Sequence, residues 1–171
     1  MEIGELLAGQ YKQSHQILKG IVADVPAEML NRREGNGTAG SIASIYAHVV
    51  MSQDAMMAKV LGEPTVYERG GWAEKVGIEH PGIFQSPEWS AAVEMKPGFD
   101  AYADAVFART ESAIGKFTEA DLSRLMDGFG GGGQKVPVQM FVANIGIIHV
   151  NEHAGEIAAL KGVHGLKGLG F

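Results

Sequence analysis

Four stretches of this chain repeat their apolar residues at steps of three and four, the period of a helix with one buried face. Leu7, Tyr11, Ser14, Leu18, Ile21 and Val25 carry the pattern from about Ile3 to Val25, where Pro26 breaks it. A second helix is predicted from the N-cap Ser41 to about Leu61, stopped by Gly62 and Pro64; Ile45, His48 (with Val49), Ser52 and Met56 form its inward stripe. A third spans roughly Phe99 to Phe117. The fourth opens at Pro137, a favoured first helical position, and reaches Lys161 before Gly162, about 25 residues and about 37 Å. In a chain of 171 residues this pattern describes an all-α protein, a four-helix bundle in one domain over residues 1–171.

Between the second and third helices lies a long segment, residues 63–97, with four prolines and the aromatics Tyr67, Trp72, Phe84 and Trp89. Ser86-Pro87-Glu88 caps one short helix within it. A connection of this length is either a functional lid or crossover, or a loop that covers one end of the bundle. As a roof over a site, it would let Trp72 or Trp89 report on an entering ligand. A faint repeat also runs through the chain. Ala27-Glu-Met-Leu30-Asn-Arg32 follows the first helix as Ala120-Asp121-Leu122-Ser-Arg124 follows the third, each before a Gly-rich stretch and a helix bearing an inward histidine.

Composition narrows the partners. Net charge is −6 with no basic run, so neither nucleic acid nor an anionic membrane surface is expected. The start, Met1-Glu-Ile-Gly-Glu-Leu, lacks a basic n-region, and the longest apolar run, Met140 to Val150, falls short of the ~20 residues a membrane span needs. The chain has no cysteine, which excludes disulfides, thiolate zinc sites and a cysteine nucleophile; any thiol chemistry must bring its thiol from outside. The expected compartment is the cytoplasm.

The histidines carry the chemistry. His149 and His153, four residues apart in a predicted helix, project the same way, on a face that continues back through Ile145, Val142 and Val138 and is therefore read as buried. Two buried imidazoles need partners for their nitrogens, from a metal or from core hydrogen bonds. His48, on an apolar stripe of another helix, tips the balance toward a three-histidine metal site with an open position. His15, one residue off its stripe, His80, beside Pro81, and His164, in the Gly-rich tail, read as surface or loop residues. Glu156 shares the face of His149 and His153, as a fourth ligand, an acceptor for an imidazole N–H, or a base. Glu152 completes His-x-x-Glu-His, the inverzincin pattern, but only 18 residues follow His153, too few for that peptidase's further ligand. The G-x-G-x-x-G match at Gly128–Gly133 has no strand before it and reads as a flexible turn.

His149-x-x-x-His153-x-Gly155-Glu156-Ile157 is similar to the fourth-helix pattern H-x-x-x-H-x-G-[QE]-I of the DinB-like (DinB/YfiT-like) superfamily of metalloenzymes. Ile45-Tyr-Ala-His48 resembles the place where that family carries its first histidine, and the order of elements resembles it over nearly the whole chain. The resemblance implies an up-down-down-up bundle with a long crossover between helices 2 and 3. It also implies three histidines, His48, His149 and His153, that bind one divalent transition metal: zinc, nickel or iron. Relatives include bacillithiol S-transferases and the mycothiol-dependent maleylpyruvate isomerase, in which the metal activates a low-molecular-weight thiol. Position 156 is commonly Gln in the family and is Glu here. Three functions follow in order. The first is a metal-dependent, thiol-activating transferase acting on a small molecule. The second is a hydrolase using metal-bound water with Glu156 as base. The third is a non-catalytic metal- or ligand-binding bundle, with a homodimer as one assembly it could form.

Overall fold

The structure, a computed structural model, describes residues 2–33, 40–128 and 133–169. It is mostly helical, with one small antiparallel sheet. The first helix, α1 (Ile3–Val22), starts at a capping box in which Glu2 and Glu5 satisfy each other's backbone N–H groups, and it ends three residues before the expected Val25. A short α2 (Ala27–Leu30) follows Pro26. The next helix, α3 (Ile42–Leu61), begins as expected at Ser41, whose hydroxyl accepts the Ser44 N–H at 3.1 Å. It stops at Gly62, which takes the left-handed conformation (φ 68°) that a side chain disfavours. Its residues are buried without a break from Ile42 to Asp54, as befits a helix apolar nearly all round.

The segment at 63–97 holds three short helices where one was expected: α4 (Val66–Arg69), α5 (Trp72–Val76) and α6 (Pro87–Ala92). Asp54, fully buried on α3, ties this segment down. Its carboxylate accepts the Val66 and Tyr67 N–H groups at 2.8 and 2.9 Å, the Tyr102 hydroxyl at 2.9 Å and the Arg109 guanidinium at 3.3 Å. Four donors, one of them cationic, are what a carboxylate needs in order to be buried without penalty.

The long α7 (Phe99–Ile114) leads through α8 (Glu119–Ser123) into a hairpin, β1 (Leu125–Asp127) and β2 (Lys135–Pro137), with Met126 opposite Val136. The periodicity gave no sign of this hairpin. The two short helices α2 and α8 sit where the internal repeat was noted, but residues 34–39 and 129–132 of the Gly-rich stretches, and so most of the turn expected at 128–133, lie outside the described residues.

The last helical stretch is not one α-helix. It runs as α9 (Val138–Ala143), a π-helical segment (Asn144–Ile148) and α10 (His149–Val163). In packing, α1 lies against α7 and α10, and α3 against the same two helices. One part of the core gathers Tyr46, Phe99, Val106 and Val150, the other Tyr11, Met56, Ile114 and Phe141. Among the described residues no helix is long and apolar enough to cross a membrane.

Candidate metal centre

The π-helical segment decides where the histidines point. At its end the His149 N–H reaches back five residues, to the Asn144 carbonyl. A π turn holds one more residue than an α turn, so everything after it is rotated by about 100°. The pattern expected for a continuous α-helix was Val138, Val142, Ile145, His149, His153 and Glu156. The line actually buried passes from Val138 and Val142 to Gly146, Val150, Ala154, Ile157 and Lys161. His149 and His153 therefore leave the core line and stand half-buried at its edge, beside open space.

Tyr11 of α1 holds this irregular turn. Its hydroxyl donates to the Val142 carbonyl at 2.8 Å. Its ring lies so close to the helix that a Cβ on Gly146 would fall 1.6 Å from the Tyr11 oxygen. Only glycine fits there.

At that edge the three imidazoles converge. One nitrogen from each of His48, His149 and His153 lies within 4.8 Å of the others, and the His48 and His149 Nε2 atoms are 2.9 Å apart. The ring of His48 stands edge-on to both neighbours, with centroids 4.8 Å from His149 and 5.1 Å from His153.

Hydrogen bonds behind the rings set the tautomers. Ser52 donates its single proton to the Ile83 carbonyl at 3.0 Å, so its lone pair accepts the His48 Nδ1–H at 3.1 Å. The His153 Nδ1–H donates to Glu156 Oε2 at 2.7 Å. Both rings thus keep the lone pair on Nε2, the form a metal ligand takes, and that of His48 accepts the His149 Nε2–H at 2.9 Å. The His149 Nδ1 is buried without a hydrogen-bond partner. Burial, with the neighbouring imidazoles, pushes the His48 pKa down to about 3 and that of His149 to about 4. Three rings that each turn one nitrogen toward the others fit a divalent cation among them, and this group could hold one.

A cavity of about 540 Å³ opens onto His48 and His149, within the usual range for a small-molecule site. Ile145 and Ile148 of the π-helical segment and Ile83 and Phe84 of the crossover form its apolar walls. The crossover does line the cavity, but neither tryptophan is part of that wall; Trp72 packs against Tyr102 instead. Of the two acids weighed from sequence, Glu152 lines the cavity while Glu156 is turned to His153.

The remaining histidines stay out of this group. His15 is not a surface residue: it is 2% exposed, stacked on Phe107 at 4.0 Å. Its nitrogens contact Glu111 at 2.7 Å and Gln53 at 2.8 Å. The sequence signal that could have revealed this was weak, since His15 lies one position from Ser14 on the inward stripe. His80 is half-buried, its Nδ1 accepting the Gly82 N–H at 3.0 Å and its ring 5.1 Å from Tyr67. His164 is half-buried at the end of α10.

Comparison with known proteins agrees with the sequence resemblance. The family model of the DinB superfamily matches residues 10–157. Among solved structures, the crystal structure of the conserved protein of locus from Enterococcus faecalis superposes with a TM-score of 0.78 at 17% identity, covering 95% of this chain and 99% of the other; at that identity the likeness is one of fold. No curated protein matches the chain.

Proposed function

This chain belongs to the DinB superfamily, and from that premise we propose that it is a metal-dependent, thiol-activating transferase with its ion on His48, His149 and His153. The observation that carries the reading is the convergence of three imidazoles, two of which, His48 and His149, line a cavity large enough for a small molecule. A divalent cation there, whether zinc, nickel or iron, supplies positive charge that favours the thiolate form of a low-molecular-weight thiol near neutral pH. The thiol comes from outside, because the chain has no cysteine. Ser52 and Glu156 hold their imidazoles in the ligating tautomer, and Ile83, Phe84 and Ile148 give the cavity an apolar wall. The reading includes an up-down-down-up bundle and a cytoplasmic protein able to form a homodimer.

Hydrolysis is the second reading, and one observation bears on it. Glu156, the base first considered, already accepts the His153 N–H, so a hydrolase would have to use Glu152 at the cavity wall. A binding bundle without chemistry is the third.

The test is metal analysis of the purified protein with turnover assayed with and without added low-molecular-weight thiols. The transferase reading expects about one transition metal per chain and thiol-dependent turnover. Full metal occupancy in His48→Ala would sink the three-histidine site. Thiol-independent turnover that is lost in Glu152→Gln would replace transfer with hydrolysis.

A further inference from the structure

The cavity beside the histidines carries charge of one sign. Among the described residues that line it Glu152 is the only acidic side chain, and neither Lys nor Arg is present. Glu152 stands one helical turn after His149, and among the described residues no Lys or Arg forms an ion pair with it. Glu156, one further turn along α10, is turned to His153 and does not line the cavity. Opposite Glu152 the walls are apolar, and two of their side chains are left open to solvent: Phe84 is 65% exposed and Ile148 49%.

We propose that this cavity selects an organic cation: a molecule with an apolar body against Ile83, Phe84, Ile145 and Ile148, and an ammonium group at Glu152. The inference rests on the reading of the cavity as the substrate site and names the class of substrate, thiol or acceptor, that bears the amino group. An apolar body gains from covering Phe84 and Ile148 in proportion to the area removed from water. An anionic group at the same place meets a carboxylate with no basic side chain to offset it, so the cavity discriminates by repulsion as well as by attraction.

The experiment uses hexyltrimethylammonium, a quaternary cation with no lone pair for a metal, compared with hexanol and with hexanesulfonate, an anion that is a poor metal ligand. Binding is measured calorimetrically at low ionic strength on the purified full chain, with metal content determined on the same samples. The cation is expected to bind about fivefold more tightly than hexanol, the span of a partly exposed ion pair, and hexanesulfonate most weakly of the three. In Glu152→Gln, at unchanged metal content, the preference for the cation should disappear. Phe84→Ala should weaken the cation and hexanol together while the order of the three probes is kept. Equal binding of the three by the wild type, or an undiminished cation preference in Glu152→Gln, would overturn the proposal. Metal content reports separately on the histidine site, so a protein that fails to hold metal but keeps the cation preference refutes the metal reading alone.

Discussion

Two histidine sites lie within this fold, a single ring and a cluster of three, and they solve the problem of a buried imidazole in opposite ways. His15 is sealed between α1, α3 and α7, stacked on Phe107, with Glu111 on one nitrogen and the Gln53 amide on the other. His48, His149 and His153 are also withdrawn from water, yet their nitrogens face one another at the edge of a cavity, and one, His149 Nδ1, has no partner. Burial alone does not separate a core histidine from a candidate ligand. What separates them is whether the protein itself completes both nitrogens.

The sharpest way to break this comparison is to delete rings from each site. His48→Ala, His149→Ala and His153→Ala should each remove most of the bound metal, because two imidazoles are too few donors for tight binding. His15→Ala should retain the metal and instead lose roughly 2–5 kcal/mol of stability, through the cavity it leaves and the stranded Glu111 and Gln53. Metal analysis and denaturant melts on the four variants decide it. Metal loss in His15→Ala with the fold intact would erase the distinction.

Rotating the rings is the next step down. Gly146→Ala forces a Cβ onto Tyr11 and should destabilise the protein by about 1–3 kcal/mol, or shift the π-helical segment and weaken metal binding with it. Tyr11→Phe, which keeps the ring and loses the bond to Val142, should cost about 1–3 kcal/mol. The coordination spectrum of bound cobalt in Tyr11→Phe shows whether the turn sets ligand geometry. A spectrum and affinity equal to wild type would separate the π-helical segment from the site.

The residues behind the rings come third. Ser52→Ala and Glu156→Ala each free an Nδ1–H and should weaken metal binding by about 10- to 100-fold. Glu156→Gln keeps an acceptor for His153 and restores the family's commoner residue, so competition titration should find it close to wild type.

A further effect is expected on acid stability of the metal-free protein. The folded pKa values of His48 and His149 lie below the ordinary histidine value, so the unfolded chain binds more protons once the pH falls below about 6.5. Stability that is complete above that pH should fall by up to about 1.4 kcal/mol per pH unit for each histidine as the pH drops toward 4. His48→Ala should flatten this acid limb in equilibrium melts. A slope unchanged by that substitution would assign the acid sensitivity to other groups.

Much of this was legible in the residues themselves. The starts and stops of α3 were written in Ser41 and Gly62, and the i, i+4 pair His149 and His153 with His48 on a second helix pointed to one group. Glu156 as an acceptor for an imidazole N–H was among the roles its spacing allowed. These features depend on a helix's own period and caps, which involve residues a few positions apart, so a linear sequence determines them. Tertiary structure alone decided the rest. The π turn exists where Tyr11, 131 residues away from Val142, takes a carbonyl and occupies the space of a side chain at Gly146. That one inserted residue moved the buried line off His149 and His153, turned Glu152 rather than Glu156 to the cavity, and so chose which acid can meet a ligand. His15 was likewise claimed for the core by Glu111 and Gln53 from two other helices. A local period cannot encode such choices, because they are made by contacts that exist only once distant segments have packed.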